Sequence, residues 1–289
     1  MSAALRRRAV LALPYAWLVL FFLVPFLIVL KISLAESVIG IPPYTPLLDS
    51  GWQPQLSGES YRRLVSDDLY ALAYLNALKF AGVSTVFCLL LGYPLAYGIV
   101  RAPRRWRSLL LLLVILPFWT SFLIRVYAWI GLLSANGLIN NTLLALGLVH
   151  QPLTLLNNAF AIYVGIVYSY LPFMVLPLYA QLEKLDLALR EAAADLGCRP
   201  WQAFWRVTLP LSLPGIAAGA LLVFIPAVGE FVIPDLLGGP DTLMIGKVLW
   251  DEFFANRDWP MAAAVAVAML VVLIVPMGLI RRLLQGETA

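Results

Sequence analysis

The sequence predicts an all-α, polytopic membrane protein: six transmembrane helices, with the N- and C-terminal ends on the cytoplasmic side. Composition, segment length and the placement of basic residues predict it. Of 289 residues, 62% are hydrophobic and 12% charged, against about 45–50% apolar and about 25% charged in an average soluble chain. Mean hydropathy is +0.88. So few charges cannot coat a soluble globule of this size, which excludes an ordinary cytosolic enzyme, a disordered chain and a disulfide scaffold. Six apolar stretches reach the roughly 20 residues that a helix needs to cross a bilayer core of about 30 Å, and the basic residues gather on one set of connecting segments.

The first stretch runs from about Val10 to Ile32, the second from Ala71 to Val100, and the third from Ser108 to Leu133. The fourth covers Ala159 to Leu182. The fifth runs from Leu211 to Leu237, with interruptions expected at Pro226 and Pro234, and the sixth from Trp259 to Ile280. Runs this continuous are helices, because barrel strands would alternate in polarity. The 289 residues read as a single transmembrane domain, with no internal repeat.

One set of segments holds Arg6, Arg7, Arg8, Arg101, Arg104, Arg105, Arg107, Lys184, Arg190, Arg199, Arg206, Arg281 and Arg282. The opposite loops hold Arg62, Arg63, Lys247 and Arg257, with Lys31 at a boundary. The rich side faces the cytoplasm. Arg6–Arg8 before an apolar run look like a signal peptide, but the run exceeds 20 residues and no A-x-A site follows, so a retained helix is expected. Between the first two stretches, Ser33–Tyr70 carries Pro42, Pro43 and Pro46 and the acidic Glu36, Asp49, Glu59, Asp67 and Asp68, which predicts a loop with a short helix near Tyr61. Asn136–Val149 has helical apolar spacing between polar flanks and suits a short interfacial helix. His150 follows alone and takes no role.

No catalytic residue is assigned. The sequence lacks HExxH, GxSxG and any cysteine–histidine ligand set, and the two cysteines, Cys88 in an apolar run and Cys198 in a polar loop, imply neither a disulfide framework nor a metal site. Gly239–Val248 (GPDTLMIGKV) superficially suggests a phosphate loop. Asp241 stands where such a loop requires glycine, and Val248 follows Lys247 where it requires Ser or Thr. The chain itself is therefore not expected to hydrolyse ATP or bind a cofactor, and nothing in it points to nucleic acid.

Glu183–Pro210 (EKLDLALREAAADLGCRPWQAFWRVTLP) is the longest cytoplasmic segment. Ala192–Ala194 and the leucines favour helix, and Asp186 and Arg190 stand at i,i+4. Gly197 breaks that helix and Pro200 suits the start of the next. A helix–turn–helix hairpin follows, with small residues that let another backbone approach closely and with Glu191 and Asp195 to meet a basic or amide-rich groove. An amphipathic loop resting on the membrane is the plainer reading of the same residues.

The order Glu191-Ala192-Ala193, three residues, Gly197, nine residues, Val207-x-Leu209-Pro210 resembles the EAA motif of ABC importer permeases, with Val207 where isoleucine is usual. Leu116–Leu133 (LPFWTSFLIRVYAWIGLL), Tyr170–Pro177 (YLPFMVLP), Phe224–Pro240 (FIPAVGEFVIPDLLGGP) and Arg257–Pro260 (RDWP) extend the likeness across nearly the whole chain. They resemble the spermidine/putrescine permeases, most of all the first permease subunit of the putrescine importer. The resemblance implies the type I, MetI-like permease fold in a bacterial inner membrane. It implies a second permease subunit, two ATP-binding subunits carrying ATP and Mg, and a periplasmic polyamine-binding protein. Glu191, Ala192, Ala193, Asp195 and Gly197 become the coupling element that docks on the ATPase.

A charge at mid-bilayer costs about 2.5–3.5 kcal/mol on insertion scales, so it needs a partner, a wet cavity or an interface. Lys79 lies near the outer edge of the second stretch and can snorkel. Along straight helices, Arg125 and Glu230 each lie about 26 Å from the inner side, at 1.5 Å per residue. Two readings stay open. The pair forms a buried salt bridge between the third and fifth helices, or Glu230 faces a translocation path and meets a substrate ammonium group, with Pro226 and Gly229 loosening the helix before it and Pro234 breaking it after. A dicationic polyamine needs carboxylates and aromatic faces. Asp235 offers a second carboxylate, and Trp119, Tyr127, Trp129, Tyr168 and Tyr170 offer aromatics. A permease of the same type for another small solute (an amino acid, sugar or anion), an ATP-independent channel or secondary transporter and a membrane-embedded enzyme are the rivals.

Overall fold

The structure, a computed structural model, describes residues 12–46 and 55–285. Arg6–Arg8, the first two residues of the first predicted stretch, and Asp49 lie outside them. The side chains of Arg190, Arg281 and Arg282 lie outside the described side chains.

The described chain is helical. In order it forms α1 (Ala12–Ser33), α2 (Glu59–Ser66), α3 (Asp68–Arg101), α4 (Arg104–Ile115), α5 (Phe122–Leu133) and α6 (Leu138–Ala145). Then come α7 (Ala159–Leu182), α8 (Leu187–Asp195), α9 (Pro200–Val228), α10 (Val232–Leu237), α11 (Ile245–Trp250) and α12 (Trp259–Gln285). Among the described residues, five stretches are long and apolar enough to cross a membrane: α1, α3, Phe122–Ala145, Ala159–Glu183 and α9; Trp259–Val275 is a shorter apolar helix. None of the apolar window of α1 is buried. A face of that size is stable only against lipid or another protein.

Two predicted stretches are not single helices. The third, Ser108–Leu133, is broken: α4 tightens into a 3₁₀ turn over Leu116–Trp119, and Thr120 and Ser121 turn extended, with ψ of 154° and 138°. Pro117 has no N–H to continue the ladder, and the Thr120 hydroxyl donates to its carbonyl at 2.8 Å. In the fifth, the break falls at Gly229–Phe231 rather than at the two prolines. Pro226 lies within α9 and Pro234 within the first turn of α10, where a missing N–H would have been unpaired in any case.

The chain divides into two compact units. One takes the residues up to Ala71 with Val248–Ile274. Within it, Arg63 pairs with Asp258 at 3.1 Å, and the other Asp258 oxygen accepts the Met261 N–H at 3.1 Å, capping α12. Buried Glu252 accepts from the Tyr70 hydroxyl at 2.8 Å and from the Asn256 amide at 3.0 Å.

The other unit, Leu72–Lys247 with the residues from Val275, holds the functional elements. Its core joins Cys88, Tyr93 and Ala96 of α3 to Met174, Val175 and Leu178 of α7 and Val223 of α9. The Tyr93 and Ser212 hydroxyls meet at 3.0 Å. An interhelical hydrogen bond in a membrane averages about 0.6 kcal/mol. A buried Leu-sized side chain makes about 40–60 contacts of about 0.1–0.2 kcal/mol each. Packing, more than polar pairing, therefore holds these helices together.

Candidate functional site: a broken helix beside a charged cavity

α9 ends at Val228 with Gly229 as its cap, and α10 begins at Val232 with backbone N–H groups that have no partner inside the helix. Glu230 fills that role. Its Oε1 accepts from the N–H groups of Phe231, Val232 and Ile233 at 3.2, 3.0 and 3.4 Å. Its Oε2 accepts from the Tyr170 hydroxyl of α7 at 2.5 Å. A carboxylate at the positive end of a helix is favoured by charge as well as by hydrogen bonding. That explains how a side chain only 7% exposed is held at a break inside an apolar segment. A carboxylate offers about four lone-pair sites, so Oε2 retains one for a further donor.

The carboxylate borders a cavity of about 510 Å³ whose wall includes Phe118, Phe122, Arg125, Tyr170 and Phe173. Arg125 is 9% exposed. Its guanidinium lies over the rings of Phe118 and Phe122 at 5.0 and 5.7 Å, and its Nε and Nη1 have no hydrogen-bond partner. The anticipated Arg125–Glu230 salt bridge is not among the four ion pairs of the described residues. Both helices are broken, so equal distance along a straight axis does not bring the two side chains together. Arg125 rests on aromatic faces while Glu230 is taken by amides and a phenol, so the two share a cavity without pairing.

The other predicted path residues lie elsewhere. Asp235 pairs with Lys247 at 3.1 Å. Trp119 and Tyr127 are exposed, Trp129 packs edge-on against Tyr168 at 5.4 Å, and none of the five is in this cavity's wall. Sequence reasoning missed Phe118, Phe122 and Phe173. For Phe122 the available signal was its spacing from Arg125, three residues apart on α5 and so on one helix face; Phe118 lies before the break, where helical spacing does not apply.

Gly246 of α11 keeps the break in place. A Cβ there would come to 2.5 Å from the carbonyl oxygens of both Gly229 and Glu230. Neither backbone oxygen can yield without reopening the turn. Gly246→Ala is expected to destabilise the protein by about 1–3 kcal/mol, the usual range for overpacking, seen as a lower melting temperature in detergent. Gly98→Ala, with open space around its Cβ, is the control and should not lower it.

The hairpin forms a second exposed feature. Asp186 accepts the Ala188 N–H at 2.9 Å and starts α8. At the other end Gly197 has φ +81°, its N–H bonds to the Ala194 carbonyl, and the Cys198 N–H bonds to the Ala193 carbonyl, both at 2.9 Å. That pattern is the Schellman stop, which favours glycine at the left-handed position. Arg199 then leads into Pro200, the first residue of α9, and the Gln202 side chain accepts the Arg199 N–H at 2.9 Å. Glu191, Ala192, Asp195 and Gly197 are exposed; Ala193 is buried and serves packing. Leu196 and Trp201, 85% and 69% exposed, add apolar surface at the tip that the sequence reading did not assign.

Membrane-length helices, one of them broken at a buried carboxylate, together with an exposed helix–turn–helix, are the parts of a membrane permease. The chain belongs to the family described as the binding-protein-dependent transport system inner membrane component, which matches residues 88–286. It is 41% identical over 271 residues to the spermidine/putrescine transport system permease protein PotB of Haemophilus influenzae, covering 92% of this chain and 90% of that one. Against PotB of Escherichia coli (strain K12) it is 42% identical over 258 residues, covering 89% and 90%. Among solved structures, a bacterial alginate ABC transporter in complex with an alginate-pentasaccharide-bound periplasmic protein shares the fold, with a TM-score of 0.69, 19% identity, and coverage of 96% of this chain and 94% of that one.

Proposed function

We propose that this chain is one permease half of an ATP-driven ABC importer for polyamines, putrescine or spermidine, in a bacterial inner membrane. Six spans, the sixth being α12, leave both termini in the cytoplasm. A second permease completes the path, two ATP-binding subunits supply ATP and Mg, and a periplasmic polyamine-binding protein delivers substrate to the outer loops, including Ser33–Tyr70 and Gly238–Asp258. The names of the relatives support the substrate class. The observation that carries the reading is Glu230, a buried carboxylate at a helix break, facing a cavity walled by aromatic rings.

A substrate ammonium group takes the free lone pair of Glu230 Oε2 and stacks on the rings of Phe118, Phe122 and Phe173, which replaces part of its hydration. ATP-driven closure of the ATP-binding subunits pulls the hairpin of Glu191, Ala192, Asp195 and Gly197, the helices rotate, and the cavity changes sides. No covalent chemistry occurs on this chain.

Tyr170→Phe removes one charge-assisted hydrogen bond to the Glu230 carboxylate, worth about 1.5–3 kcal/mol, of which the freed oxygen recovers part by bonding the substrate ammonium group. It is expected to raise the polyamine concentration for half-maximal uptake by about two- to tenfold while leaving the maximal rate close to the parent's. A permease for an anion is the second reading, because Arg125 borders the same cavity and two of its guanidinium nitrogens, Nε and Nη1, have no acceptor. The reconstituted complex, assayed for uptake of labelled putrescine in competition with spermidine, molybdate and a neutral sugar, tests both. ATP-dependent uptake that only amines compete for supports the polyamine reading. Absence of putrescine uptake, together with ATP-dependent uptake of labelled molybdate, replaces it with the anion reading.

A further inference from the structure

A second charged cavity, of about 580 Å³, sits at the root of the hairpin. The tight connection between α3 and α4 brings Arg101, Arg104 and Arg107 into its wall, where they meet Glu183, Asp186 and Thr208. Both carboxylates are already engaged. Glu183 accepts from the Tyr179 hydroxyl at 2.7 Å and lies 3.5 Å from Arg107, and Asp186 caps α8. Arg107 also donates through Nε to the Ala102 carbonyl at 3.0 Å. Arg101 stacks over Tyr97 at 4.4 Å. Neither Arg101 nor Arg104 is in any of the four ion pairs among the described residues.

Thr208 supplies the independent observation. It is 3% exposed, and its Oγ1 has no hydrogen-bond partner. A helical threonine usually donates to a carbonyl one turn back. Here the helix widens to a π-turn over Phe204–Thr208 and the hydroxyl is left over. A buried hydroxyl without a partner costs about 1–3 kcal/mol. A bias of basic residues toward the cytoplasmic side explains three arginines near one membrane edge. It explains neither their convergence on one cavity nor the orphaned hydroxyl.

We infer that this cavity binds a phosphate-bearing anion, either the headgroup of an acidic phospholipid or free phosphate. Phosphate oxygens match the guanidinium fork two at a time, and one oxygen takes the Thr208 hydroxyl. Basic pockets beside transmembrane helices on the cytoplasmic side are a recurrent form of acidic-lipid site. The wall residues flank the hairpin, Glu183 and Asp186 before α8 and Thr208 after the turn, so the occupant braces its two roots.

Native mass spectrometry of the purified complex tests this without any transport step, so its result does not depend on the polyamine reading. The complex is released from mixed phosphatidylglycerol and phosphatidylcholine vesicles. Melting curves in phosphatidylcholine alone, with and without inorganic phosphate, form the second arm. The parent is expected to retain phosphatidylglycerol at least fivefold over phosphatidylcholine, or to gain melting temperature with inorganic phosphate. The first result assigns the lipid headgroup and the second the free anion. Arg101→Gln with Arg104→Gln should abolish the preference, and Arg105→Gln, which stacks on Trp106 outside the cavity wall, should keep it. Thr208→Val, close in shape, covers the case in which the double variant does not fold. With a bound phosphate it lowers retention or the phosphate effect; with an empty cavity it raises the melting temperature and changes neither. Equal retention and equal phosphate response in the parent and the cavity variants overturns the inference.

Discussion

Glu230→Gln is expected to reduce ATP-dependent uptake at low polyamine concentration by about ten- to hundredfold. Glutamine keeps the size of the side chain and one carbonyl oxygen, so the cap on α10, made through Oε1 to Phe231, Val232 and Ile233, survives. The Tyr170 hydroxyl, now facing an amide N–H, turns to accept. The charge is lost. Hydrogen bonds to charged groups contribute about 1.5–3 kcal/mol, and about 1.4 kcal/mol is a factor of ten. Glu230→Ala separates fold from transport, because it also removes the cap and loses about 0.5–2 kcal/mol of stability. A Gln variant that melts like the parent yet imports poorly places the defect in the path. Normal import by that variant at low substrate removes Glu230 from it.

The second large effect is expected at Gly197. A β-branched side chain at φ +81° clashes with its own backbone, at a cost of about 1–2 kcal/mol or more. The Schellman stop cannot form unchanged, and the exposed tip that carries Leu196 and Trp201 is displaced. Gly197→Val should lower substrate-stimulated ATPase and uptake by about five- to thirtyfold, the factor that corresponds to one or two kcal/mol. Gly197→Asn should retain most of both, since asparagine tolerates the left-handed region. The amount of ATP-binding subunit that co-purifies should fall in the same order. Equal coupling in the Val variant and the parent removes the hairpin as the lever.

The hairpin was the most legible part of the chain. Gly197 and Pro200 carry its stop and restart in residue type alone, and α7 has the ends of the fourth predicted stretch. The break at Leu116–Ser121 was not legible from hydropathy, because the residues on either side of Pro117 stay apolar whether the helix continues or stops. The local signs were Pro117 and the polar pair Thr120–Ser121, with Ser121 at the N-cap position of α5. For Glu230 the position was legible and the partners were not. A carboxylate before VIPDLL fits a helix cap, yet a search for a cation directed attention to Arg125. Equal distance along two straight helices made the pair plausible, and two breaks removed it. Asp235 and the exposed Trp119 and Tyr127 were chosen by residue type alone. Which of many aromatics face one cavity depends on helix rotation, which composition does not encode.

The proposed function requires a polyamine to occupy the cavity beside Glu230. Chemical modification inside that cavity tests it most directly. Phe173 is in the wall and 37% exposed. Cys198 is changed to Ser, and Cys88 is fully buried, so Phe173→Cys provides the reactive thiol. In the reconstituted complex, a cationic methanethiosulfonate reagent should label this cysteine faster than an anionic one, and putrescine or spermidine should slow the labelling while a neutral sugar does not. Labelling that is indifferent to polyamine, or faster with the anionic reagent, contradicts a cation site in this cavity.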